Sequence, residues 1–294
     1  MKAFVKTAIR SALTMVRVVR HAYTPSRLPL MTQGGTPIVI LGNGPSLDED
    51  IGKALPNLAA VDLMCVGRLA ESSLYSALQP RYYVFVDPMW WSADAPAVTK
   101  DLRENLFDCM RKGTHWSMTI LAPYAAAPYF QSVFSDVPNL QLAFFNNTPV
   151  TGEPWLTKAV YDRGLGMPPA QNVLVACLYL CLHMGYKKVM LLGADHSWHE
   201  TLALDEQNRV CLRDRHFYDK TVALRPFTID GSPDKIFTMD ALFFALGRMF
   251  AGYWQIAAYA KTLGAHIVNA SSVTYIDAFP RRPLAEALRS MDQP

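Results

Sequence analysis

Short apolar runs recur along the chain at residues 37–41, 59–66, 81–87, 117–122, 139–145, 187–193 and 265–269, separated by segments long enough for helices or loops. Strand-length runs alternating with helix-length segments predict an α/β fold: a Rossmann-like, mainly parallel, doubly wound sheet of about seven strands. The clearest helix is expected from about Gln171 to Met184; it is apolar nearly all round, as a helix buried inside a layered domain would be. A second spans roughly Asp240 to Leu263 and is rich in Ala, Leu, Phe and Tyr. Residues 198–235 are polar, charged and poor in periodicity, which predicts an irregular functional lid over the site. No internal repeat or low-complexity tract interrupts this order.

The N-terminal stretch has a different pattern. Residues 2–20 carry Lys2, Lys6, Arg10, Arg17 and Arg20 without an acidic residue, interleaved with Phe4, Val5, Ile9, Leu13, Val16 and Val19. This is the pattern of a basic amphipathic helix, and it leaves two roles open: docking on an anionic membrane surface, or packing on the domain with a solvated basic face. Arg10 and Arg17 break the apolar stretch, which argues against a signal peptide. The chain is therefore divided into a basic amphipathic segment, 1–30, and a single domain, 31–294, with its lid at about 198–235.

The first apolar run ends in Gly42-Asn43-Gly44-Pro45-Ser46-Leu47, a strand emptying into a tight turn that opens a helix. Gly42 and Gly44 allow positive φ and close backbone contact, Asn43 offers an amide, and Ser46 is placed to cap the helix. A helix N-terminus favours negative charge, so a phosphate is the expected guest; a plain strand-to-helix turn is the alternative. The stretch lacks the Gly-Lys-Ser/Thr of a Walker loop and the full dinucleotide pattern.

Ligands of open α/β sheets bind at the carboxyl ends of the strands, so Asp87 after the third run and Asp195-His196 after the sixth should converge on this turn. Gln171 and Asn172 would lie at the positive end of the buried helix. Asp195 suits a ribose or sugar hydroxyl, or the orientation of a neighbouring histidine. His196 and His199 lack both the helical context of a zinc pair and an evident third ligand, so no metal site is expected. Within the lid, His216 stands among Arg213, Arg215, Tyr218 and Lys220; an imidazole titrating near neutrality is the candidate general base, and Arg215 or Tyr218 can donate to a leaving phosphate. Asn269 and Ser271 after the last run are candidates to read a base or phosphate, or to cap the strand end.

Composition narrows the class. The 294 residues are 51% hydrophobic, enough for one large α/β domain, and the net charge of +3 lacks the electrostatic footprint of a nucleic-acid binder. Five cysteines, an odd number, suggest reduced thiols and a cytoplasmic setting, peripheral at the inner face of the cytoplasmic membrane if the first helix docks there. Cys177 and Cys181, one turn apart on an apolar stretch, read as core packing. No run of eighteen apolar residues exists, so no spanning helix is expected.

At these residues the chain resembles the bacterial lipooligosaccharide sialyltransferases, together with the related motility-associated-factor glycosyltransferases and hydroxymethylpterin pyrophosphokinase-like domains. The matching pieces are Gly42 to Leu47, Met184-Gly185-Tyr186-Lys187-Lys188 leading into Leu192-Gly193-Ala194-Asp195, His216-Phe217-Tyr218, and Asn269 to Phe279; their order agrees across roughly residues 37–279. The resemblance implies that Asn43 in its turn helps hold the CMP part of a CMP-linked sugar and that His216 is the general base. Asp87-Pro88 falls where the family has an Asn-Pro pair on the donor, and Gln171-Asn172 near its Thr-Ser-Gly turn. The expected activity is inverting, metal-independent transfer of a sialic acid or related nonulosonic sugar to a saccharide or glycolipid acceptor in bacterial surface glycan assembly, with no cofactor. A pyrophosphokinase using ATP and magnesium on a hydroxymethyl pterin, with Asp87 and Asp195 as ligands, is the alternative; a nucleotide-binding scaffold is a third. Homo-oligomerisation stays open.

Overall fold

The computed structural model describes residues 2–23, 28, 35–214, 223–229 and 235–291. The first half runs α1 (Lys2–His21), β1 (Ile38–Leu41), α2 (Leu47–Ala54), β2 (Asp62–Val66), α3 (Tyr75–Leu78), β3 (Tyr82–Val84), α4 (Ala97–Gly113), β4 (Met118–Pro123), α5 (Ala127–Phe134) and β5 (Leu140–Phe145). The second continues α6 (Pro154–Asp162), α7 (Val173–His183), β6 (Lys188–Leu192), β7 (Leu202–Leu204), β8 (Val210–Asp214), β9 (Ala223–Pro226), α8 (Met239–Thr262), β10 (His266–Asn269) and α9 (Leu284–Met291).

Seven strands form one all-parallel sheet in the order β10-β6-β1-β2-β3-β4-β5. All of the apolar runs expected as strands are strands, and β2 is shorter than expected because residues 55–60 form a 3-10 turn before it. The apolar runs are continuous because parallel strands covered on both faces bury alternate side chains in two different layers. Ile38, Ile40, Met64, Val66, Val189 and Leu191 pack with α6, α7 and α8 on one side. Val39, Leu41, Leu63, Cys65, Met190 and Leu192 pack with α2, α4 and α5 on the other. Each such fully buried aliphatic side chain contributes about 1.5–3 kcal/mol. Cys177 and Cys181 lie inside the first layer, where burial pushes both thiols up and keeps them inert.

The sheet is wound outward from β1 in both directions, so the chain reverses between β1 and β6. The carboxyl ends of the two strands at such a switch point are where open α/β sheets bind ligands.

One expectation is corrected, and one left open is narrowed. The described residues of the segment 198–235 are not irregular throughout: they begin with a 3-10 turn, Trp198–Thr201, and β7, β8 and β9 form a small antiparallel sheet. Its strands are short and its turn polar, with Asp205 accepting the Gln207 and Arg209 amides at 3.0 and 2.9 Å, so no long period develops in the sequence. The first helix does pack on the domain, but by a narrow stripe of Ser11, Thr14 and Val18 rather than by its larger apolar residues. Thr14 is fully buried; its Oγ1 donates to Thr151 O at 2.6 Å and accepts the Thr151 amide at 3.0 Å, while Ser11 Oγ accepts the Glu153 amide at 2.9 Å. Among the described residues no helix is long and apolar enough to cross a membrane.

Candidate functional site

The two loops at the switch point are fused by main-chain bonds. Gly42 N donates to Leu192 O at 2.7 Å and Gly44 N to Gly193 O at 2.8 Å. A Cβ on Gly42 would overlap the Gly193 carbonyl oxygen, and one on Gly44 the Asp195 carboxylate. These glycines are therefore needed for close approach; neither adopts the positive φ expected of them. Their amides are spent within the protein, so the turn is not an open phosphate cradle. Gly42→Ala should lower stability by about 1–3 kcal/mol, because the added methyl would meet the Leu192 and Gly193 backbone, which cannot give way as a side-chain end could; urea denaturation measures it, and an unchanged midpoint would contradict the close approach.

Ser46 does not cap α2 with its side chain. Its Oγ donates to Asp195 Oδ1 at 2.6 Å and its amide to Asp195 Oδ2 at 3.0 Å. Asp195 thus occupies the positive end of α2, the place expected for a phosphate, because a carboxylate from the neighbouring loop satisfies the orphan amide and the helix dipole together. Asp195 is buried, which pushes its carboxyl above the usual range, while the two Ser46 bonds pull it down.

His196 follows in the left-handed region at φ 55°, an uncommon conformation for a non-glycine residue that here directs the imidazole inward. The ring stacks on Trp198 at 4.8 Å, and its Nε2 is hydrogen-bonded to the Tyr253 hydroxyl from α8. Burial lowers its pKa to about 3, so the imidazole is neutral at physiological pH and a poor proton acceptor. Burial likewise pushes the Tyr253 phenol up and keeps it protonated; its hydroxyl donates to Asn172 Oδ1 at 3.2 Å.

Asn172 caps α7, its Oδ1 accepting the Leu174 and Val175 amides at 2.8 and 3.2 Å. That arrangement fixes Oδ1 toward the helix and leaves Nδ2 buried without a hydrogen-bond partner. The Asn43 amide faces the Gly42 and Val66 carbonyl oxygens; with its nitrogen toward them it donates to both, at 3.2 and 3.1 Å, and ties the β1 and β2 ends together.

Asn43, Gly44, Asn172, Asp195, His196 and Trp198 line one cavity of about 230 Å³ at the switch point. Five of these were expected on a common site, and the fold brings them there. The remaining expected residues are placed differently. Asp87 is exposed and caps the 88–90 turn, accepting the Met89 amide at 3.0 Å, two strands away from β1; Gln171 is also exposed, and neither lines the cavity. Asn269 and Ser271 are structural: Asn269 accepts the Ser271 amide at 3.1 Å and donates to Thr274 at 2.8 Å, and Ser271 Oγ accepts the Ala194 amide at 2.9 Å. They brace the Asp195 loop and do not line this cavity; Ser271 lines a separate one with Asp50, Arg281 and Arg282. His199 turns away from His196 and stacks edge-on with Tyr275. His216, Arg215 and Tyr218 lie outside the described residues. Among the described residues no group of three or more His, Cys, Asp or Glu is arranged to hold a metal ion.

Tyr253 was not foreseen. It sits in an apolar helix 57 residues from His196, and nothing local marks it. The antiparallel sheet reaches this site through β8, which packs against the 198–201 turn, and Trp198 and Thr201 of that turn line the cavity.

No family model matches the chain, and no curated protein matches it. Among solved structures it is similar to the MAf glycosyltransferase from Magnetospirillum magneticum AMB-1, with a TM-score of 0.50 and 13% identity over 97% of this chain. The chain spans 42% of that protein's length, and at this identity the likeness concerns the fold: an α/β architecture built on a parallel sheet.

Proposed function

We propose that the chain is an inverting glycosyltransferase whose switch-point cavity takes the nucleotide end of a CMP-linked sialic acid or related nonulosonic sugar. The observation that carries this reading is the cavity itself, lined by Asn172 at the positive end of α7 and lying at the place where open parallel sheets bind nucleotides. The likeness to a protein described as a glycosyltransferase supports the same class.

The cavity is smaller than the roughly 300 Å³ at which ligand pockets usually begin, so it suits one part of the donor, with the rest extending toward the β8–β9 side. In the proposed reaction His216 takes the proton of an acceptor hydroxyl as that oxygen bonds to the anomeric carbon, and the bond from that carbon to the CMP phosphate oxygen breaks on the opposite face. CMP leaves with its bonding electron pair. A monophosphate carries less charge than a diphosphate, so the α7 dipole, the Asn172 amide and a Tyr or Arg of the 215–222 segment stabilise it without a divalent cation.

Thermal unfolding with CMP, UDP, GDP and ATP tests the assignment. CMP at a hundred times its Kd should raise Tm by about 4 °C, from about 2.7 kcal/mol of binding linkage in a chain of this size. CMP release from CMP-sugars should persist in EDTA. Loss of release in EDTA with recovery in manganese would remove the metal-free mechanism, and AMP formation from ATP with a hydroxymethyl pterin would replace the reading by a pyrophosphokinase.

A further inference from the structure

The first helix is docked the wrong way round for a water-soluble amphipathic helix. Ser11, Thr14 and Val18 face the domain, while Val5, Ile9, Leu13, Val16 and Val19 all point to solvent, Ile9 at 55% and Val19 at 79% exposure. On a 3.6-residue period these five share the face opposite the docked stripe, and Lys6, Arg10 and Arg17 line one flank of it. The helix has no acidic residue, and none of Lys6, Arg10, Arg17 or Arg20 makes an ion pair among the described residues.

Two neighbouring features extend the surface. Trp155, at the start of α6, is 70% exposed and lies two residues beyond Glu153, the residue bonded to Ser11. Arg10 shares a groove with Pro154 and Thr157 of that helix and with Gln255 of α8, one residue from the exposed Trp254. At the other end of α1, Arg17, Arg20 and His21 line an open groove of about 630 Å³ with Tyr23, Tyr124 and Asn147.

We propose that the outward face of α1 is a docking surface for an anionic lipid bilayer, lying in the plane of the interface with Ile9, Leu13 and Val16 among the acyl chains and Lys6, Arg10, Arg17 and Arg20 on the headgroup phosphates. Charge complementarity selects this occupant: an apolar stripe bordered by cations without a counter-charge matches a surface that is apolar below and anionic above, and exposed tryptophans are suited to the boundary between them. A second copy of the helix would instead place like charges against one another. The proposal does not depend on the glycosyltransferase reading, since its test involves no turnover.

The test is flotation of the full chain with vesicles of phosphatidylcholine alone and of phosphatidylcholine with phosphatidylglycerol. The chain should float with the anionic vesicles only, and added salt should release it. Lys6→Gln and Arg17→Gln should each weaken binding roughly five-fold, the effect of one basic residue near a charged surface. Ile9→Asp with Val16→Asp should abolish it while leaving the circular dichroism spectrum and Tm unchanged, because both side chains face solvent. Equal flotation with neutral vesicles, or none with either, overturns the proposal. So does a dimer in solution that Ile9→Asp converts to a monomer, a result that assigns the face to a second copy.

Discussion

Replacing His216 with alanine should lower the turnover of a CMP-linked donor by about 10²–10⁴, the usual contribution of a positioned general base. That range corresponds to about 2.7–5.5 kcal/mol of transition-state stabilisation. Two neighbouring histidines make the assignment testable by exclusion. His196 is buried and held neutral with a pKa of about 3, and its Nε2 is engaged by Tyr253, so it is unsuited to accept an acceptor proton. His199 is stacked against Tyr275 and lies outside the lining of the cavity. The alanine variant should bind CMP with unchanged affinity, since the base acts on the acceptor side, and its rate should lose the rise with pH expected as an imidazole deprotonates. Turnover within a few-fold of the unmodified chain would remove His216 from this role.

Acid should destabilise the fold through His196. Its pKa is lowered by burial to about 3, against about 6.5 in an unfolded chain, so the unfolded state binds the proton first. The stability contributed by the neutral imidazole is therefore complete above about pH 6.5 and is lost as pH falls toward 3, at up to about 1.4 kcal/mol per pH unit and about 5 kcal/mol in all. Asp195 acts with the opposite sign: its raised carboxyl pKa favours the folded state as the group protonates, and offsets part of the loss at the acid end. Urea unfolding of the native chain and of His196→Asn separates the two, because asparagine tolerates the left-handed backbone at this position and does not titrate. The difference between the two chains should shrink steadily from pH 7 to pH 4. A constant difference would mean that the imidazole is not desolvated as its surroundings indicate.

The sheet was legible because its signal is local. A continuous run such as Ile38-Val39-Ile40-Leu41 is apolar on both pleat faces, as a strand covered on both sides requires, and its shortness and β-branched residues separate it from a buried helix. The ends of α7 and α8 followed from the same kind of information. Convergence of Asn43, Asn172, Asp195 and His196 followed from the topology of open α/β sheets, which places the loop after each strand at one edge. The chemistry of individual groups was less accessible. Ser46 and Asp195 are 149 positions apart, and nothing in the sequence indicates that the carboxylate fills the helix end the serine was expected to serve. Asn269 and Ser271 have the composition of ligand contacts, but their hydrogen-bonding capacity is used on Thr274 and Ala194. Polar type and position can nominate a residue; its remaining hydrogen-bonding capacity depends on partners that only the folded chain supplies. The 198–235 segment concealed its small sheet because three short strands with a polar turn repeat too few times to register as a pattern.

The clasp between Ser46 and Asp195 joins the two halves of the sheet before any guest arrives. The floor of the crevice is in this way set in advance, so occupancy there involves little ordering entropy. Discrimination among guests is then expected at Trp198 and Thr201, on the turn that packs against β8, where residues can change without loosening the foundation.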